Sequence, residues 1–154
     1  MKIYRRIIFV AEAGTCRAPM AAALLKEYTL KHPVEVLARG LVVLFQEPLN
    51  QKAEAVMISN GVSTEGYVST QLCDEDVDED TLVLTMERSQ CQKVLDICAN
   101  AKEENVCVLT ELVGEELEIM NPYGGTLQSY GLCFETLRQT IKKLVKLLNE
   151  NEGE

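Results

Sequence analysis

Short apolar runs alternate with amphipathic stretches along the chain, and this order predicts strands alternating with helices. Ile7, Ile8, Phe9 and Val10 form an unbroken apolar run of the kind buried on both faces of a parallel sheet. The first strand is expected from Lys2 to Val10, and the first helix from Ala18 to about Leu30, closing before His32 and Pro33. Val34 to Ala38 reads as the second strand, Arg39-Gly40 as a turn, and Leu41 to Pro48 as an apolar loop. Asn50 to Asn60 has Ala53, Val56 and Met57 on one helical face and Gly61 as its stop.

The second half repeats the alternation. Leu82, Val83 and Leu84 form the third strand. Ser89 then caps a helix running to about Asn100, with Cys91, Val94, Leu95 and Cys98 on its inner face. Val106 to Leu109 is the fourth strand, followed by a longer acidic connection from Thr110 to Met120. The last helix spans Thr126 to about Asn149, with Leu132, Leu137, Ile141, Leu144, Val145 and Leu148 as its apolar stripe. Four strands interleaved with helices indicate an α/β three-layer sandwich around a parallel sheet with right-handed crossovers. A single domain is expected over 1–149, with a frayed acidic tail at 150–154.

Between the first strand and first helix lies a tight loop with a distinctive composition. Gly14 suits a left-handed backbone, Pro19 suits the first turn of a helix, and successive amides between Glu12 and Ala18 can converge on one point. Such a nest at a helix start attracts anions, and Arg17 adds a planar fork of donors matched to a pair of phosphate oxygens. In parallel sheets, ligands sit at the carboxyl ends of the strands, where this loop emerges.

The stretch FVxxxGxCRxPMA, followed much later by NPYGG, resembles the low molecular weight protein tyrosine phosphatases over nearly the whole chain. The resemblance implies strand order 2-1-3-4. It also implies a phosphate-binding loop made of Glu12, Ala13, Gly14, Thr15, Cys16, Arg17 and Ala18. Leu44, Phe45 and Tyr123 become candidates for the cleft wall. Leu44 and Phe45 could instead close the core, and Tyr123 could simply pack the Pro-Tyr-Gly turn.

The departures from the family pattern are as informative as the matches. The family's nucleophilic cysteine lies six residues before the loop arginine, and that position is Ala11. Its general-acid aspartate falls on Asn121, its thiolate-bonding serine on Ala18, and its loop-bracing asparagine on Gly14. Because supporting groups are missing as well as the nucleophile, a natural pseudophosphatase that binds phosphate or phosphotyrosine is favoured. The alternatives are a genuine phosphatase, with an engineered Ala11 or an unrecognised nucleophile, and a scaffold that binds nothing.

Cys16 follows the family's second loop cysteine, whose usual partner is replaced by Ala11. It reads as a small buried residue, since a neighbouring loop position does not aim its sulfur for in-line attack. Glu12 would repel a dianion if it faced the site, but would be mostly screened at the rim. Arg17 could alternatively be a structural arginine paired with an acid, and His32 reads as a surface residue.

Charge and cysteine usage narrow the setting. A formal net charge of −9 argues against nucleic acid or an anionic membrane as a general partner. Six cysteines without CxxC pairs, in a chain with no recognisable secretory segment, fit reduced thiols in a cytoplasmic protein. No cofactor is expected. The acidic run Asp74 to Asp80 lacks the glycine and the final glutamate of a calcium loop, so it reads as a solvated turn rather than a metal site.

Overall fold

The computed structural model describes residues 1–152, so positions 153–154 of the expected tail lie outside the described residues. Four strands form one parallel sheet: β1 (Arg6–Ala11), β2 (Glu35–Gly40), β3 (Thr81–Thr85) and β4 (Val106–Val108), in the order β2-β1-β3-β4. Strand β1 is central, and its side chains divide between two cores. Ile7 and Phe9 join the cluster that packs α1 (Arg17–Lys26), α2 (Gln51–Ser59) and α5 (Leu127–Glu150). Ile8 and Val10 join the opposite cluster with Val94 and Cys98, which belong to α3 (Arg88–Ile97) and its C-terminal cap. This alternation accounts for the unbroken apolar run, because every second residue meets a different layer.

Several boundaries differ from the sequence expectations. Helix α1 closes at Lys26 rather than Leu30, with the Glu27 and Tyr28 amides bonded to Leu24 and Leu25 carbonyls at 3.2 and 3.1 Å. Such i→i+3 bonds tighten a last turn. The chain then reaches the far end of α5, where the Lys31 amide donates to Asn149 Oδ1 at 2.8 Å. Strand β2 continues through Arg39 and Gly40 instead of turning there. Gly40 pairs with Ala11, and its amide donates to the Thr70 carbonyl at 2.9 Å.

Helix α3 starts at Arg88, one residue before the expected Ser89 cap, because Gln90 Oε1 accepts the Met86 and Glu87 amides. It ends at Ile97. The expected connection after β4 begins with a short helix, α4 (Leu109–Leu112). In α5 the buried face carries Tyr130, Cys133, Phe134, Leu137, Ile141, Leu144 and Val145, whereas Leu132 is 64% exposed. Leu132 lies five positions before Leu137, a spacing that places it off the 3.6-residue stripe.

The acidic stretch is only partly solvated. Asp76 is largely buried and pairs with Arg39 at 3.1 Å, while Asp78 pairs with Arg5 at 2.7 Å. Beyond α5, the Asn151 carbonyl lies 3.1 Å from His32 Nε2, which gives that histidine a structural contact. Among the described residues, no helix is long and apolar enough to cross a membrane.

Candidate functional site

The loop at the carboxyl end of β1 is shaped by where its carbonyls go. Ala11 O accepts the Leu41 amide at 3.0 Å, and Glu12 O accepts those of Leu41 and Val42 at 2.9 and 3.0 Å. Gly14 O accepts the Tyr67 hydroxyl, and Thr15 O accepts the Asn50 amide at 2.9 Å. In a planar trans peptide the N–H lies opposite the C=O. The amides of Glu12, Ala13, Thr15 and Cys16 therefore face away from these outer partners. Asn50 also caps α2, with its Oδ1 accepting the Lys52 and Ala53 amides, so the loop is anchored to a helix start.

Two glycines permit this path. Gly14 has φ of 69°, as its composition suggested, and a Cβ there would meet Gly40 N at 3.0 Å. At Gly40, a Cβ would sit 2.8 and 2.9 Å from the Ala13 carbonyl carbon and oxygen. Loop and β2 thus approach backbone to backbone.

Arg17, the first residue of α1, is 2% exposed. Its Nη1 donates to Glu87 Oε2 and to the Ile119 carbonyl, both at 2.7 Å. Among the described residues, none takes a hydrogen bond from its Nε or Nη2. The guanidinium is therefore held by one corner, with the opposite edge available for a bidentate acceptor. The structural pairing expected as an alternative is present, and it leaves the Nε–Nη2 edge without a partner among the described residues.

Ala11 is buried at the end of β1, and Ala18 is fully buried in α1. Glu12 reaches outward to Lys93 Nζ on α3 at 3.3 Å, with both side chains about half exposed (46% and 51%), so its charge sits at the rim. Ala13 is exposed, and Thr15 and Cys16 are half-buried.

The Cys16 thiol is pushed far up, chiefly by the influence of Cys133 and then by burial. A thiol held protonated is a poor nucleophile. Cys133 is shifted down, chiefly by the Cys16 thiol and also by the Arg17 charge. Burial raises the Tyr67 phenol to about 12, which keeps it a hydrogen-bond donor to the loop.

Several apolar side chains expected as cleft wall, or near them in sequence, are exposed. Leu44 and Phe45 are 83% and 78% exposed, so they do not close the core. Opposite in sequence, Met120 and Tyr123 are 84% and 81% exposed, in the segment just after the Ile119 carbonyl that Arg17 grips. Asn121 is exposed, and its Oδ1 accepts the Tyr123 amide at 3.1 Å, which sets the turn through Pro122.

Sequence reasoning did not identify Glu87, Lys93, Tyr67 or the Ile119 carbonyl as site groups. Glu87 carried a usable signal, since it follows the carboxyl end of a strand next to β1. No three His, Cys, Asp or Glu residues among those described are grouped to hold a metal ion.

The family model described as low molecular weight phosphotyrosine protein phosphatase matches residues 6–153. The chain belongs to this family. It is 29% identical over 147 residues to a protein-arginine-phosphatase of Geobacillus stearothermophilus, covering 96% of this chain and 98% of the relative. It is 30% identical over 143 residues to the low molecular weight protein-tyrosine-phosphatase PtpB of Staphylococcus aureus, covering 93% and 99%. The YwlE arginine phosphatase from Geobacillus stearothermophilus superposes with a TM-score of 0.86 at 30% identity, covering 95% of this chain and 94% of that one. A YwlE mutant with a phosphorylated active-site serine has a TM-score of 0.87 at 26% identity, covering 96% and 97%. The family's fold and sheet order are those seen in this chain.

Proposed function

We propose that this member of the phosphatase family binds phosphate or phosphotyrosine groups in the loop from Ala11 to Ala18 without hydrolysing them. The observation that carries the reading is Ala11. A methyl group stands where the family resemblance puts the attacking sulfur, and it has no lone pair to form a covalent phosphoryl intermediate. Asn121, at the general-acid position, has no ionisable proton to give a leaving oxygen. Cys16 does not replace the nucleophile, because its thiol is pushed up and stays protonated.

Binding groups are nevertheless retained. The loop carbonyls are tied outward, the Arg17 guanidinium keeps its free edge, and the helix start adds its partial positive charge. The relatives named above are phosphatases for tyrosine or arginine, so a phosphorylated side chain is the ligand class that the family supports. The apolar rim of Leu44, Phe45 and Tyr123 supports the aryl ester in particular.

Titrating inorganic phosphate into the labelled protein and following amide resonances tests the binding half of the proposal. Residues 12–18 should shift in the wild-type protein, and much less in Arg17→Lys. An unresponsive loop would favour the scaffold reading. Release of phosphate from an aryl phosphate at a rate abolished by Cys16→Ser would overturn the assignment of catalytic silence.

A further inference from the structure

Strand β2 is an outer strand of the sheet, and its residues divide by the direction of their backbone groups. The Glu35 amide donates to the Arg5 carbonyl at 2.9 Å and the Leu41 amide to the Ala11 carbonyl at 3.0 Å, so Glu35, Leu37 and Arg39 face β1. Val36, Ala38 and Gly40 turn theirs outward. At Gly40 the outer edge already holds a strand. Its amide donates to the Thr70 carbonyl and its carbonyl accepts the Leu72 amide, both at 2.9 Å, in a parallel bridge with Gln71. The Ala38 carbonyl accepts Arg39 Nη1 at 2.9 Å. Among the described residues, the Val36 amide and carbonyl and the Ala38 amide have no hydrogen-bond partner.

This unpaired stretch lies in a recess. Two cavities of about 450 and 460 Å³ adjoin it and share Lys26 and Val36, forming one groove along β2. Ala22, Ala23 and Lys26 of α1 make one wall, and Gly66, Tyr67 and Val68 make the other. The exposed Lys26 stands where the cavities meet and, among the described residues, holds no ion pair. The charges on the strand itself are engaged, Glu35 with Arg6 and Arg39 with Asp76. Glu65, exposed on the far wall, disfavours a second acid there.

We propose that this edge of β2 docks an extended segment of a partner protein, which adds as a strand beside Val36 and Ala38 and sets a carboxylate against Lys26. Backbone amides and carbonyls at strand spacing are complemented by another extended backbone. From Glu35 to Arg39 the edge spans about 13 Å, room for a segment of roughly five residues. The walls on either side suit one extended chain better than the edge of a second folded sheet. The assignment holds whether or not the loop binds phosphate, because the groups that carry it lie on the outer side of β2.

The probe is the blocked pentapeptide acetyl-Thr-Val-Glu-Val-Thr-amide, titrated into the isotope-labelled full chain. The Val36 and Ala38 amides should shift and exchange more slowly with solvent, while those of Leu37 and Arg39, already bonded to β1, change little. Of two peptides N-methylated on alternate amides, one should bind about five- to tenfold more weakly through loss of its edge hydrogen bonds, and the other like the parent. Lys26→Glu should weaken the glutamate peptide about two- to fivefold at low salt and favour its lysine counterpart. Unmoved Val36 and Ala38 amides at millimolar peptide, equal losses from both methylated peptides, or shifts confined to residues 12–18 would overturn the proposal. So would protection of these two amides that grows with protein concentration in the absence of peptide, which would place a second copy of the chain on the edge.

Discussion

Arg17 Nη1 and Glu87 Oε2 are 2.7 Å apart, and the pair joins the start of α1 to the carboxyl end of β3 across 70 residues of chain. The arginine is 2% exposed and the glutamate 35%. Glu87→Ala would leave the guanidinium with only the Ile119 carbonyl at that corner. Since Glu87 is partly solvated, the expected loss is about 1–3 kcal/mol rather than that of a fully buried pair. Urea denaturation should show it, together with weaker phosphate binding. Unchanged stability and affinity would mean that the pair does not orient Arg17.

Glu12 brings a negative charge to the rim, held by Lys93 at 3.3 Å. Glu12→Gln should tighten phosphate binding by about two- to fivefold at low ionic strength, the size expected of one screened charge. The gain should fade in high salt. Titration calorimetry at two salt concentrations measures it, and a loss of affinity would show that Glu12 contributes to the site.

Gly40 has no room for a methyl group against the Ala13 carbonyl. Gly40→Ala should cost about 1–3 kcal/mol through overpacking and should disturb the loop amides more than distant ones. Thermal denaturation and amide spectra together separate this local effect from general unfolding. A variant as stable as wild type, with unshifted loop resonances, would contradict the close approach.

Restoring chemistry separates the two missing roles. Ala11→Cys places a thiol in the amide nest near Arg17, where its thiolate is favoured, and should yield slow turnover of activated aryl phosphates. Adding Asn121→Asp should raise turnover of unactivated phosphotyrosine by about a hundredfold to ten-thousandfold. The Asn121 side chain already accepts the Tyr123 amide, a contact that an aspartate oxygen can keep. A folded double variant with no gain over Ala11→Cys on a leaving-group series would show that position 121 does not reach the leaving oxygen.

What was legible in the sequence was local. The Ile7–Val10 run, Gly14 and the α2 stripe are set by neighbours within a turn or a strand, and each has the expected form. Leu132 misled because apolar character alone does not fix a helical face. The extension of β2 through Gly40 depends on Ala11 and Thr70, which no local pattern reveals. The same is true of the site. Arg17 was readable from its loop, but Glu87 reaches Arg17, and Lys93 reaches Glu12, only when the chain after β3 and along α3 returns beside β1. The Glu12–Lys93 contact spans 81 residues, and no periodicity encodes such a meeting.

Phosphorus NMR of a phosphotyrosine peptide mixed with the purified wild-type protein tests the central claim most directly, because one spectrum reports both binding and cleavage. The account predicts a saturable shift or broadening of the ester resonance, largely lost with Arg17→Lys, and no inorganic phosphate beyond that of a protein-free control. Accumulating inorganic phosphate in proportion to wild-type protein, or an ester resonance indifferent to it, would contradict the account.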